Sequence, residues 1–361
     1  MRDSEPLAIY YEHPDWFRPL FAELDRRAIP YATLDATLHS YDPSSEENSY
    51  AVVFNRMSPS AYLRGHGHGI FYTLQYIDHL ERLGTRVING QQAFAIEISK
   101  ARQLSLLDSL NLPYPKSRVI NHPSLAIEAS EGLRFPIVVK ANIGGSGAGI
   151  VRFDSREAIV KAVETDTINL GIDQTALVQE FIPPRDGHIT RVETLGGKYL
   201  YGIKVYTTGE TFNLCPADIC QTTDGVELAR VACPVDAPRS GLQVEAFEPP
   251  LDVIRSVERI AQAAHIDVGG IEYIIDDRDG SLLYYDINAL SNFVADATRV
   301  IGFDPHAKLV DFLEKEVTRC ATVTGSRFSA VGKETSKTKE WKRVGITSAV
   351  WLVAASKSAT T

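Results

Sequence analysis

Lys140 closes an apolar run and is followed by Ala-Asn-Ile-Gly-Gly-Ser-Gly-Ala-Gly over residues 141–149. A lysine at a strand end ahead of a glycine-dense turn puts a mobile positive charge beside uncovered backbone N–H groups, an arrangement suited to a phosphate chain. Gly149 is followed by Ile150 instead of Lys-Ser/Thr, so this is not a Walker loop. Residues 150–153 read as a strand where a dinucleotide fingerprint requires a helix. A glycine hairpin lid over phosphates is one reading and a flexible turn the other. A second constellation is Glu272 with Asp286 and Asn288; the last two are separated by one residue and share a strand face. Two carboxylates and a carboxamide are hard oxygen donors of the kind Mg²⁺ takes, although acids on a strand also simply face water. Apolar and aromatic neighbours at 283–285 and 287 make an unpaired charge at Asp286 costly. The third piece is Leu177-Val-Gln-Glu-Phe-Ile182, an apolar strand interrupted by Gln179 and Glu180. It can offer backbone groups and a carboxylate edge to an adenine, or be an edge strand with two solvated side chains.

The elements needed to position these residues are legible around them. Strands are expected over 7–11, 31–34, 51–55 and 86–88, with helices over 15–28 and 69–83, giving a small parallel α/β domain covered on both faces. Ligands of such sheets sit at strand carboxyl ends, where Asn55 and Arg56 fall, followed by Arg64-Gly-His-Gly-His68. Arg56 is a candidate to hold a substrate carboxylate, with an ordinary polar loop as the alternative; His66 and His68 read as solvated rather than metal-bound. Ser99 stands before a helical pattern of Ala101, Leu104, Leu107 and Leu110 that Leu-Pro-Tyr-Pro at 112–115 stops, so Lys100 lies in a first turn. Strands at 116–120, 137–141, 150–153, 177–182, 189–195 and 199–206, with a helix at 124–131, make an α+β region. After a helix at 250–265, strands at 270–275 and 282–287 flank the strong turn Asp277-Arg-Asp-Gly-Ser281 and should pair as a hairpin. A last helix is expected at 305–316.

Taken in order, these pieces resemble the ATP-grasp superfamily, RimK-type or glutathione-synthetase-like. They are a lysine at a helix start, a lysine before a glycine hairpin, a Gln-Glu-Phe-Ile strand, an arginine on the next strand, then acid and acid-x-Asn. The resemblance covers about 87–316. It implies an α/β N-terminal domain (1–90) followed by an α+β ATP-grasp fold (91–320) whose two subdomains clasp ATP, with a lid subdomain at about 116–182. By position it implies that Lys100 and Lys140 contact ATP phosphates, that Gly144, Gly145, Ser146, Gly147 and Gly149 form the lid, and that Gln179, Glu180, Phe181 and Ile182 hold adenine. Glu272, Asp286 and Asn288 would bind Mg²⁺, two ions by the family pattern, and Arg191 and Lys204 would stabilise charge on the transferred phosphoryl group. Ile189 stands where an acid near the ribose is usual, and Asp186 is the substitute. The terminal pair is Asp286-x-Asn288 where Glu-x-Asn is common, and Ala289-Leu-Ser-Asn292 replaces Ser-Pro-Gly. Residues 211–216, with Asn213 as the substrate-contact candidate, lack the expected arginine and glycines. The activity implied is ATP-dependent joining of a carboxylate to an amine through an acylphosphate, acting on small molecules or a short peptide. Modification of a peptide or protein, and a nucleotide-binding regulator without catalysis, are the alternatives.

Composition sets the outer limits. A chain of 361 residues with 44% hydrophobic and 23% charged residues is ordinary for a globular enzyme of two or three domains. A net charge of -9 disfavours coating nucleic acid or an anionic membrane. No apolar run approaches a bilayer span, and residues 1–6 do not read as a signal peptide, so the expected location is cytoplasmic. Cys215, Cys220, Cys233 and Cys320 are too sparse for a disulfide framework; zinc on the first three is disfavoured by their spacing. Residues 321–361 form a basic tail, read as appended, and a homo-oligomer is compatible with the resemblance.

Overall fold

A computed structural model describes residues 7–47, 49–145, 149–206 and 243–331, with side chains to residue 320. The chain divides into two units, Met1–Ala321 and Thr322–Thr361. In the first, strands β1 (Leu7–Tyr11), β2 (Ala32–Asp35), β3 (Val52–Arg56) and β4 (Arg86–Ile88) form a parallel sheet of order β2-β1-β3-β4. Both faces are covered, which is why β1 and the first three residues of β3 read as apolar runs. Leu7, Ile9, Val52 and Phe54 join Trp16, Phe17 and helix α1 (Arg18–Arg26) in one core. Ala8, Tyr10 and Val53 pack against helix α2 (Gly67–Arg82) in another.

Helix α3 (Gln91–Glu97), which has no clear periodic signature, leads into α4 (Lys100–Ser109). Ser99 caps α4 by accepting the Arg102 N–H at 3.3 Å, and Lys100 is therefore its first residue. An antiparallel sheet follows, of order β5-β8-β6-β7: β5 (Ser117–Ile120), β6 (Ile137–Ala141), β7 (Val151–Phe153) and β8 (Ala176–Glu180). One face of it buries Ile137, Val139 and Val178 against α5 (Ala126–Ala129) and α6 (Arg156–Glu164). Helix α6 is an element that the strand-rich reading of this stretch passes over, although Ser155 caps it.

The third sheet is antiparallel, of order β11-β10-β9-β12-β13, built from β9 (His188–Leu195), β10 (Lys198–Tyr206), β11 (Val244–Ala246), β12 (Val268–Ile275) and β13 (Leu282–Asn288). Between β11 and β12 runs α7 (Leu251–Ala263), whose Val253, Val257, Ile260 and Ala261 recur at helical spacing and cover one sheet face. The other face shares a core with β1, β3 and the helix that follows α8 (Ala297–Ile301), namely α9 (Pro305–Val331). Helix α9 continues past the expected end at residue 316 and into the segment read as a tail. Arg86 ties β4 to this arrangement through Asp267 (2.5 Å) and Glu316 (2.9 Å). Among the described residues no helix is long and apolar enough to cross a membrane.

Candidate functional site

A cleft is lined by β6, the segment after β8, α4 and the face of β9, β12 and β13 that bears Arg191. Register explains the convergence. Glu272 stands opposite Arg191 on β9 and opposite Asp286 on β13, and cross-strand partners share a face. Asn288, two residues beyond Asp286, lies on the same face, and its amide donates to Asp286 Oδ2 at 3.3 Å. Lys100 reaches into this face from α4, its Nζ 2.5 Å from Asp286 Oδ1. Lys140 enters from β6, buried, at the start of the glycine turn.

The electrostatics are those of a dense buried cluster. Burial opposes the charge on Lys100, but Asp286, with Glu97 and Glu272 behind it, outweighs burial and holds the ammonium above its ordinary range. Burial likewise opposes ionisation of Asp286, and Lys100, Lys140 and Arg191 hold its carboxyl below the usual range. Glu272 is pushed up, by burial first and by Asp286, in spite of Arg191 Nη1 at 2.7 Å and the Tyr285 hydroxyl donating at 2.5 Å. Burial and the neighbouring Lys100 charge push Lys140 down to about 7. Folded Lys140 therefore binds fewer protons than the unfolded chain between pH 7 and 10.5, so its cost to stability is fully present below 7 and disappears as pH rises through that window. An incoming polyanion reverses the balance. Nucleotide binding at pH 8 is expected to take up a fraction of a proton, and the Lys140→Met variant to take up less. Calorimetry in buffers of different ionisation enthalpy measures this; equal uptake by both proteins would mean that Lys140 does not meet the nucleotide.

Arg191 is buried and committed within the protein. Its Nε donates to Glu193 at 2.6 Å, Nη1 to Glu272, and Nη2 to the Ser291 hydroxyl at 3.3 Å. The guanidinium lies across Gly270, where a Cβ would come within 2.5 Å of Nη2, so only glycine fits beneath it. Val138, Ile182 and Ile274 supply an apolar slot in the lining, together with Gln179, Glu180 and Phe181. Gln179 donates to Ser117 Oγ at 2.7 Å, and Arg152 lies 4.9 Å from the centre of the Phe181 ring. Gly144 and Gly145 line the cleft, and a Cβ at Gly145 would press on Ser60 at 3.1 Å. Gly149 has a left-handed φ of 72°. Ser146, Gly147, Asn213 and the cysteines Cys215, Cys220 and Cys233 lie outside the described residues.

One expectation is corrected, that for Lys204, and Arg56 lies apart from the cleft: it is not among the lining residues. It is buried between the Phe17 and Phe54 rings, and its Nη2 donates to the Ser291 carbonyl (2.5 Å) and Asn292 Oδ1 (2.6 Å), so it latches the loop after β13. Lys204 stands opposite Thr190, the neighbour of Arg191, and so projects from the other face of the sheet. There it lies 3.7 Å from Glu245 and 4.8 Å from the Phe247 ring centre. Lys204→Ala is expected to leave turnover within about twofold of the parent, since such half-exposed pairs contribute about 1 kcal/mol or less. A tenfold loss in steady-state assays would restore it to the machinery. Asp186 sits on the turn between β8 and β9 with φ 55° and is not among the cleft-lining residues. His66 pairs with Glu12 at 2.7 Å, alongside Arg64.

The sequence reading passed over Glu97, Gln103 and Tyr285, all of which line the cleft. Glu97 carried a weak signal, a lone acid between Ile96 and Ile98. Burial pushes it up to about 7. Among the described residues no group of three or more His, Cys, Asp and Glu stands ready for a metal. The hard-oxygen set available is the two carboxylates of Glu272 and Asp286 with the Asn288 carboxamide. The chemistry of that set, two carboxylates and a carboxamide that converge on one sheet face, fits Mg²⁺.

Residues 98–212 match the RimK-like ATP-grasp domain. The chain is 27% identical over 135 residues to the probable alpha-L-glutamate ligase 2 of Pseudoalteromonas atlantica, covering 37% of this chain and 44% of that one. The match thus spans less than half the length of that relative. Solved structures of the same architecture include the ATP-grasp ligase PsnB complexed with a phosphomimetic variant of minimal precursor, Mg and ADP (TM-score 0.60, 18% identity, 87% of this chain and 100% of that one). A D-alanine–D-alanine ligase from Bacillus anthracis is another (TM-score 0.60, 14% identity, 87% and 97%). The fold is that of the ATP-grasp ligases.

Proposed function

We propose that this chain is an ATP-dependent carboxylate–amine ligase that forms an amide through an acylphosphate and releases ADP and phosphate. The observation carrying the reading is the convergence of Lys100, Lys140 and Arg191, from three separate elements, on the oxygen set of Glu272, Asp286 and Asn288. Bare adhesion to a nucleotide would not require acids buried beside the phosphate-binding lysines. The apolar slot along Val138 and Ile274 would take the adenine, with the phosphates running toward Lys140 and the glycine turn.

Glu272, Asp286 and Asn288 would hold Mg²⁺, two ions in our reading, which supplies positive charge to the phosphate oxygens. A substrate carboxylate oxygen attacks the γ-phosphorus in line; the new O–P bond forms as the bond to the ADP oxygen breaks. Lys100 and Lys140 compensate the charge that moves onto the leaving ADP, and Arg191, fixed by two carboxylates, needs no reorganisation to do the same for the transferred group. The amine nitrogen then attacks the acyl carbon, phosphate departs with its bonding pair, and the nitrogen loses a proton. The glycine turn after Lys140, whose Gly145 packs beside Ser60, would keep water from the acylphosphate.

The likeness to glutamate and D-alanine ligases supports a small amino acid on either side, and the likeness to PsnB, solved with its precursor, supports a peptide. The test is release of ADP and phosphate from Mg·ATP across pooled amino acids and short peptides. Stimulation by one pool supports the ligase and selects between these classes. Nucleotide binding with no stimulation by any pool would leave a binding-only protein in its place.

A further inference from the structure

The face of β13 that bears Asp286 and Asn288 is only half of what fixes these residues. The strand is also gripped along its outer edge, since β13 ends the sheet. The Gln103 side chain pairs with the backbone of Ile287 in both directions, its Nε2 donating to the carbonyl at 2.9 Å and its Oε1 accepting the N–H at 3.2 Å. Gln103 Nε2 also donates to the Ile96 carbonyl at 3.1 Å, which joins the grip to α3. Just beyond Asn288, Glu97 Oε2 accepts the N–H of Ala289 and, at 3.3 Å, that of Leu290. Asp286 and Asn288 are thus bracketed by two side chains at Ile287 and at Ala289–Leu290. Both side chains come from the helix pair that also carries Lys100. Glu97, Gln103 and Ala289 are all buried, so water cannot replace these bonds.

We infer that Glu97 and Gln103 are positioning residues that hold the end of β13 against α3 and α4, setting the oxygens of Asp286 and Asn288 where Mg·nucleotide is bound. This rests on the Mg·ATP reading above. A metal site is only as good as the groups that orient its ligands, and loss of such support typically costs 10- to 100-fold in metal affinity. An ordinary packing role would lower the melting temperature and leave metal affinity alone.

The test titrates Mg²⁺ into the full chain with saturating ADP and reads nucleotide binding by calorimetry, with melting temperature in chelator as the control for folding. Gln103→Met, which keeps the volume and removes both bonds to Ile287 as well as the one to Ile96, and Glu97→Leu are each expected to raise half-saturating Mg²⁺ about tenfold or more. Glu97→Gln, which retains an acceptor oxygen of the same reach, is expected to stay within about threefold of the parent. If Glu97→Leu does not fold, Gln103→Met and Glu97→Gln carry the comparison. Half-saturation unchanged in a folded Gln103→Met protein overturns the inference while the ligase reading stands. A parent protein that binds no Mg·ADP overturns both.

Discussion

Asp286→Ala is expected to reduce ADP and phosphate release by about 10³-fold or more, with the fold intact by circular dichroism. Single-turnover measurement at saturating Mg·ATP is the check. The magnitude follows from what the carboxylate touches. It faces Glu272 across the hairpin, receives the Asn288 amide and holds Lys100 Nζ at 2.5 Å, so its loss both removes a proposed metal oxygen and releases the lysine. Removal of a single preorganised charge-stabilising group costs about 10² to 10³ in turnover, and here two are disturbed. Nucleotide affinity without metal should fall little, since a negative charge beside the phosphates has also gone. Asp286→Asn should behave almost as badly, because the neutral amide neither holds the metal nor anchors the ammonium. Turnover within tenfold of the parent would mean that Asp286 is structural and that the oxygen set has been misassigned.

Arg191→Met should have its main effect on stability. Glu193 and Glu272, both nearly inaccessible to water, receive their cation from Arg191. Removing it leaves two carboxylates buried together, and breaking a buried pair from one side typically costs about 3–5 kcal/mol. For a unit of this size that is a fall in Tm on the order of 10 °C. The remedy distinguishes this account from general packing loss. Adding Glu193→Gln to Arg191→Met should recover a substantial part of the Tm, since one of the stranded charges is gone, while turnover stays absent. Arg191→Lys should not substitute, because one ammonium cannot reproduce the fork that serves Glu193, Glu272 and Ser291 from three nitrogens. If Arg191→Met melts with the parent, the arginine is not what holds these acids, and its catalytic assignment would need another basis.

Lys204 and Arg56 show why parts of the arrangement could not be read along the chain. Lys204 is assigned to charge stabilisation by its place in the family resemblance, which carries no information about strand register. A regular pairing that started from Lys198 opposite Leu195 would set Lys204 opposite Ile189, on the face of Arg191. The register shifts between Tyr199 and Tyr201, so that Lys204 meets Thr190 and turns to the opposite face. One extra residue moves every later side chain across the sheet, and nothing in Lys198-Tyr-Leu-Tyr-Gly announces it. Arg56 is a different case. Its position at a strand carboxyl end is as expected, but its partners Ser291 and Asn292 lie more than two hundred residues away, and only packing brings them to it.

What the sequence by itself determined is whatever depends on local periodicity and local caps. Alternation put Asp286 and Asn288 on one face, the Ser99 cap put Lys100 at a helix start, and the 277–281 turn made strands 12 and 13 neighbours in register. The glycines after Lys140 marked a turn whichever function it served. What only the tertiary structure decided is which face of each sheet became the cleft, which cations were consumed internally, and which distant side chains grip β13. Glu97 meets Ala289 and Gln103 meets Ile287 across nearly two hundred residues. Such contacts leave no periodic trace, because their spacing in sequence reflects the length of everything folded in between, whereas their energy depends only on distance and exclusion of water.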